Sequence, residues 1–316
     1  HQGVLDAREA LRKNDSARLA SAVVATRQNP LAQWVEYWDL NNRLSQAQVD
    51  EVEAFYARWP GTYVEDRLRN DWLLELGKRR DWANFSRDFP RFRMNDDPEV
   101  TCYALLTQHL KGQEVRESAR EAWFAQPDLD NGCNLMAATL YGAGAFTDTD
   151  AWQKARLAIE TNRLSAARAA ASLVSPDAAV ALAEIAKSPE LYLNRKAGSK
   201  DAETMELATL ALMRLGSKDP DAAAGLLAGR WQGTLPKQFS ALAWAGIGEG
   251  AAQKLLPEAA SHYQKAQALR QQAAAIQRDQ VPWSDDMPGW QVRAALRHRG
   301  PDADPRKPAT TPLPPT

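Results

Sequence analysis

The sequence predicts an all-α chain: a superhelical stack, or α-solenoid, of short antiparallel helices with irregular repeats. Three observations carry that reading. Helix-start punctuation recurs along the whole chain, apolar residues recur at intervals of three and four, and strand signals are missing. There are no alternating β-branched runs, and the Asn-Gly pair, Asn131-Gly132, stands at a helix start rather than between two such runs. Short links between consecutive helices favour antiparallel neighbours. Many such pairs in series give a solenoid rather than a bundle.

The elements follow in order. Leu19, Val23 and Val24 share one helical face, and Asn29-Pro30 offers a cap followed by a first-turn proline. Ser45 with Gln48 reads as a capping box ahead of Val49, Val52, Phe55 and Trp59. Val64, Leu68 and Trp72 make the next stripe, with Leu73 and Leu76 alongside. Asp97-Pro98, Ser175-Pro176, Ser188-Pro189 and Asp219-Pro220 repeat the cap-proline signal, because the side-chain oxygen accepts from an orphan amide and proline needs no donor there. Leu207, Leu210 and Ala211 run to Leu215-Gly216, read as a helix C-terminus. The total is roughly fifteen to eighteen helices, most of about 10–15 residues. No tetratricopeptide signature recurs in register. The alanine-rich stretch 166–171 lets helices approach closely, and six of the eleven tryptophans lie between Trp34 and Trp123, read as wedges between helix layers. Helical structure is expected over residues 1–299. Residues 300–316, rich in proline, are expected to be an extended or disordered tail.

Composition narrows function. With 39 basic and 40 acidic residues the formal net charge is −1, which argues against electrostatic capture of nucleic acid or of an anionic membrane surface. No apolar run reaches the length of a membrane span. His1-Gln2-Gly3 leads almost directly into an amphipathic segment, so any secretory leader is expected to have been removed. The phosphate-cradling loop, the zinc-protease helix and the serine-nucleophile elbow are all missing, and the glycine-rich stretch 141–145 lacks dinucleotide spacing. His1, His109, His262 and His298 are scattered, and His109 reads as a surface or capping residue. The acidic pairs Glu65-Asp66, Asp96-Asp97 and Asp285-Asp286 read as loop and helix-start residues. No catalytic, cofactor-binding or metal-binding residue is assigned.

Cys102 and Cys133 lie 31 residues apart, close to the period of a helix-pair repeat, and each falls near a helix start. They can therefore occupy similar places in successive layers and form a structural disulfide, which suggests an oxidising compartment. A pair of buried thiols is the alternative. A bridge closing such a loop contributes roughly 3–4 kcal/mol in the chain-entropy model.

The aromatic-rich helices, this cysteine spacing and two further segments, 152–164 and Trp290-Gln291-Val292-Arg293-Ala294-Ala295-Leu296-Arg297, together with Trp244-Ala245-Gly246-Ile247-Gly248, resemble the N-terminal superhelical domain of the large soluble lytic murein transglycosylases. The resemblance covers roughly residues 1–299. It implies a periplasmic location and a U-shaped helical stack that works beside a separate lysozyme-like catalytic domain. In that domain one glutamate protonates the glycosidic oxygen of peptidoglycan and leaves a 1,6-anhydro product. That glutamate sits in a Glu-Ser-x-aromatic motif followed by a Gly-Leu-Met-Gln type segment. Here Glu117-Ser118 is followed by Ala119-Arg120, and no such segment follows. Glu117 is read as a solvated helix residue. The expected function is that of a non-catalytic scaffold whose partners are peptidoglycan glycan strands, a transglycosylase catalytic domain absent from this chain, and cell-wall proteins. No cofactor is expected. The alternative is a stand-alone helical-repeat interaction module without enzyme activity.

Overall fold

The computed structural model describes residues 2–280, and among them every regular element is a helix: seventeen α-helices and two single-turn 3₁₀ segments at Leu44–Gln46 and Phe89–Arg91. The chain divides into two compact units between Ala183 and Glu184. The proline-rich tail and the segment Trp290–Arg297 lie outside the described residues.

The first unit contains α1 (Gln2–Arg12), α2 (Ser16–Ala25), α3 (Ala32–Asn42), α4 (Val49–Arg58), α5 (Tyr63–Arg79), α6 (Trp82–Asp88), α7 (Pro98–Leu110), α8 (Arg116–Ala125), α9 (Asn131–Gly142), α10 (Asp148–Glu160) and α11 (Leu164–Val174). Most helices pack on the next and often on the next but one: α1 on α2 and α3, α5 on α6 and α7, α7 on α8 and α9, α8 on α9 and α10. That is the neighbour pattern of a layered stack. The main core runs along α3 to α7, where Val52, Phe55, Val64, Leu68, Trp72, Leu73, Leu76, Phe85 and Tyr103 are buried. Fully burying side chains of this size contributes about 1.5–3 kcal/mol each. A smaller cluster of Ala7, Ala10, Leu19, Ala22 and Val35 closes the α1–α3 end. Val24 departs from its expected face and is exposed.

The caps show how local chemistry sets the boundaries. Asp97 accepts from the amides of Glu99 and Val100, Ser175 from Ala178, and Asp219 from Ala222. Asn29-Pro30 instead forms a turn. The Asn29 side chain accepts from Leu31 N–H and its carbonyl from Ala32 N–H, and α3 begins two residues beyond the proline. The capping box sits three residues later than Ser45 suggests: Ser45 lies inside the 3₁₀ turn, and the box pairs Gln48 with Glu51.

The division between the units falls in α12 (Pro176–Lys187). The second unit continues with α13 (Pro189–Lys196), α14 (Ala202–Lys218), α15 (Pro220–Ala228), α16 (Lys237–Gln253) and α17 (Ala259–Gln280). Here α16 packs on α14, α15 and α17. Gly216 does not end α14, which runs on to Lys218. It serves close approach instead. A Cβ on Gly216 would lie 2.9 Å from Ile247 Cα, and one on Gly250 would lie 2.0 Å from the Gly216 carbonyl oxygen.

Candidate functional site

The most heavily charged point of the first unit is Arg69, 1% exposed on α5. The Glu65, Asp66 and Arg69 spacing puts all three side chains on one helical face. Arg69 Nη2 reaches Glu65 Oε1 at 2.8 Å, Nη1 reaches Asp66 Oδ1 at 3.4 Å, and Nε reaches Asp88 Oδ1 on α6 at 3.1 Å. The guanidinium lies 4.1 Å over the ring of Tyr56 on α4, whose hydroxyl donates to Asp88 Oδ2 at 2.9 Å. Asp66 also accepts from the backbone N–H groups of Arg93 and Met94. Burial raises the Asp88 carboxyl against the pull of Arg69, and burial together with the Asp88 charge pushes the Tyr56 hydroxyl far up. Burial alone would lower Arg69, but the hydrogen bond to Glu65 and the surrounding anions raise it. Each of the three nitrogens of this cation donates to a carboxylate inside the protein, so the cluster is framework, pinning residues 88–94 to α4 and α5. Glu65 and Asp66 stand in the first turn of α5, in keeping with their reading as helix-start residues; the signal for the cluster itself is the arginine four and three residues further on.

An open cleft of about 740 Å³ lies among the turn after α2, helix α3 and helix α4. Leu40 and Phe55, both nearly fully buried, give it an apolar side. Arg43 Nε contacts Asp39 Oδ2 at 3.2 Å and its Nη1 contacts Glu51 Oε1 at 2.6 Å. Glu51 also accepts from Gln48 N–H, and that bond and Arg43 hold its carboxyl below the usual range. Arg58 Nε meets Glu36 Oε2 at 2.8 Å, and Trp59 Nε1–H donates to the same oxygen at 3.2 Å. Arg27, exposed in the turn, lines the cleft without an ion-pair or hydrogen-bond partner among the described residues. A smaller cleft of about 400 Å³ is lined by Asn41, Asp71, Glu99 and Tyr103 among others. There Tyr37 and Asn41 both donate to Asp71 Oδ2, and burial raises the Asp71 carboxyl.

Cys102 in α7 and Cys133 in the first turn of α9 are joined by a disulfide, with Cα atoms 4.9 Å apart. The two helices meet closely here. Glu99 Oε1 accepts from Gly132 N–H, and a Cβ on Gly132 would lie 2.8 Å from the Glu99 carbonyl oxygen. Asp130 caps α9 by accepting from Cys133 N–H. Behind it Lys154, 4% exposed on α10, donates to the carbonyls of Trp123 and Gln126 and so closes the C-terminus of α8. Burial pushes its ammonium down to about 8, with Asp130 acting in the opposite direction.

The other residues singled out in the sequence are dispersed. Glu117 is exposed in the first turn of α8 and pairs with Arg116. His109 is half-buried in the last turn of α7. The glycine-rich stretch 141–145 terminates α9, with Gly144 at φ 74°. Asp97 caps α7. His262 is buried and stacks on Trp244 at 5.3 Å. Asp285-Asp286 lie outside the described residues. Among the described residues no group of histidine, cysteine and carboxylate side chains is arranged to hold a metal, and no helix is long and apolar enough to cross a membrane.

The arrangement defines an all-helical layered stack with an open, charge-lined cleft, and its solved counterparts are lytic transglycosylases. An inactive mutant of the lytic transglycosylase Slt from Pseudomonas aeruginosa matches over 96% of this chain and 53% of its own, with 23% identity and a TM-score of 0.54. The 70 kDa soluble lytic transglycosylase from Escherichia coli matches over 94% and 53%, with 16% identity and a TM-score of 0.54. The 70-kDa soluble lytic transglycosylase in complex with bulgecin A matches over the same shares, with 16% identity and a TM-score of 0.52. The chain thus spans about half the length of these proteins, and what it shares with them is the helical superhelix fold. No family model matches the sequence, and no curated protein does.

Proposed function

We propose that this chain is the non-catalytic superhelical scaffold of a periplasmic soluble lytic murein transglycosylase. Its role would be to hold peptidoglycan glycan strands beside a catalytic domain that this chain does not contain, during cell-wall cleavage and turnover. The observation that supports this best is the match of almost the whole chain to one half of several lytic transglycosylases. The Cys102–Cys133 bridge is in keeping with an oxidising compartment. On this reading residues 1–299 form the scaffold and 300–316 a tail.

The test is incubation of the purified chain with isolated sacculi, followed by sedimentation and mass spectrometry of the soluble fraction. The expected result is a chain that sediments with the sacculi and releases no 1,6-anhydromuropeptides. Release of those products overturns the non-catalytic assignment. Failure to sediment turns the reading toward a stand-alone helical-repeat interaction module.

A further inference from the structure

We propose that the cleft among α2, α3 and α4 is a binding site for a short zwitterionic peptide, one that carries both a free ammonium and a free carboxylate. Its volume of about 740 Å³ suits a ligand of a few residues. The argument is one of charge balance within the cleft. Arg58 and Glu36 neutralise each other. Arg43 is shared by two carboxylates, Asp39 and Glu51, so that group carries one net negative charge. Arg27 carries the matching positive charge and has no partner among the described residues. The cleft is therefore neutral as a whole but holds two uncompensated charges of opposite sign on different elements, Arg27 in the turn after α2 and the acidic group on α3 and α4.

A purely anionic or purely cationic ligand answers one of these charges and leaves the other facing it with the wrong sign. A zwitterion answers both: its carboxylate takes the guanidinium of Arg27, and its ammonium takes the surplus carboxylate beside Arg43. Val23 and Trp59, both only partly buried at the cleft, supply apolar surface for the ligand's body above the floor of Leu40 and Phe55. The acidic side is held in place before any ligand arrives, because Glu51 is fixed by the Gln48 amide and Arg43 by two carboxylates. Such preorganisation lowers the ordering cost of binding. The inference stands on the cleft alone and does not depend on the cell-wall reading.

The experiment is a low-salt titration of the full chain, followed by ligand-observed NMR or calorimetry, with trialanine free at both ends and with its N-acetylated and C-amidated forms. Free trialanine should bind about fivefold more tightly than either capped form, the scale of one exposed charge pair. Arg27→Gln, in an exposed turn residue, should remove the discrimination against the amide while keeping that against the acetyl form. Asp39→Asn should do the reverse. Equal binding of the three peptides, no binding at millimolar concentration, or an Arg27→Gln chain indistinguishable from the parent overturns the proposal. A chain that binds trialanine but fails to sediment with sacculi overturns the scaffold reading and leaves this one intact; sedimentation without peptide binding does the opposite.

Discussion

Where α4, α5 and α6 meet, the contact that fixes them is a buried guanidinium serving three carboxylates; where α14 and α16 cross, it is a pair of glycines. The first unit uses long side chains that reach across helices, such as Arg69 to Asp88 and Lys154 to the end of α8, together with one covalent bridge. At the α14–α16 crossing the second removes side chains so that backbones touch, a device the first uses beside its disulfide, where Gly132 of α9 meets Glu99 of α7. The contrast teaches that one layered fold can be stitched in two physically different ways, and that the two should fail differently. Charge-stitched contacts respond to loss of a partner, because a buried ion left alone is costly. Glycine contacts respond to gain of volume, because a close-packed backbone has nowhere to move.

The largest break should come from Arg69→Met. It removes the buried cation and leaves Glu65, Asp66 and Asp88 only the longer contacts of the more exposed Arg91 and Arg93, at 3.4–3.8 Å, at a cost of about 3–5 kcal/mol, read as a lower midpoint in urea unfolding. Next, replacing both cysteines by serine should cost about 3–4 kcal/mol for a loop of this length, again by urea titration. Thiol titration of the denatured, unreduced protein should find essentially no free cysteine; two free thiols would remove the bridge from the account.

In the second unit, Gly250→Ala should cost about 1–3 kcal/mol, because the new methyl meets the Gly216 carbonyl. Gly225→Ala in α15 sharpens the contrast. Nothing lies within 4 Å of the added carbon, so the change should stabilise by about 0.5–1 kcal/mol in the same assay.

The smallest effect is one of pH. His262 is buried with neither ring nitrogen partnered, and burial lowers its pKa, Lys265 adding to the effect against Glu258 and Asp221. Between the unfolded value near 6.5 and the lower folded value, the unfolded state holds more protons. Stability should therefore fall as pH drops through that window. His262→Phe keeps a ring against Trp244 and should flatten this part of the pH–stability curve, measured against the parent.

Much of the architecture was legible because helix boundaries are local events. Asp97, Ser175 and Asp219 cap within three residues, and the stripe of Val64, Leu68 and Trp72 follows from helical period alone. The readings that slipped were those in which a second local option competed. Asn29-Pro30 closes a turn as readily as it opens a helix, and a 3₁₀ turn absorbs Ser45. Gly216 looked like a terminus because a glycine near a helix end usually is one; its role depends on α16, distant in the chain. The same holds for the cleft and for the Arg69 cluster. Their members come from separate helices, and only the Glu65, Asp66 and Arg69 spacing is written in consecutive sequence.

The Cys102–Cys133 link also has a mechanical meaning. A pull on the two ends of the chain would travel from α7 to α9 through sulfur, leaving α8 and its flanking loops off the load path. With the cysteines 31 positions apart, the oxidised chain is shorter at full extension than the reduced one by roughly 100 Å, at 3.3–3.6 Å per residue. Oxidation thereby sets how far this part of the molecule can give under tension.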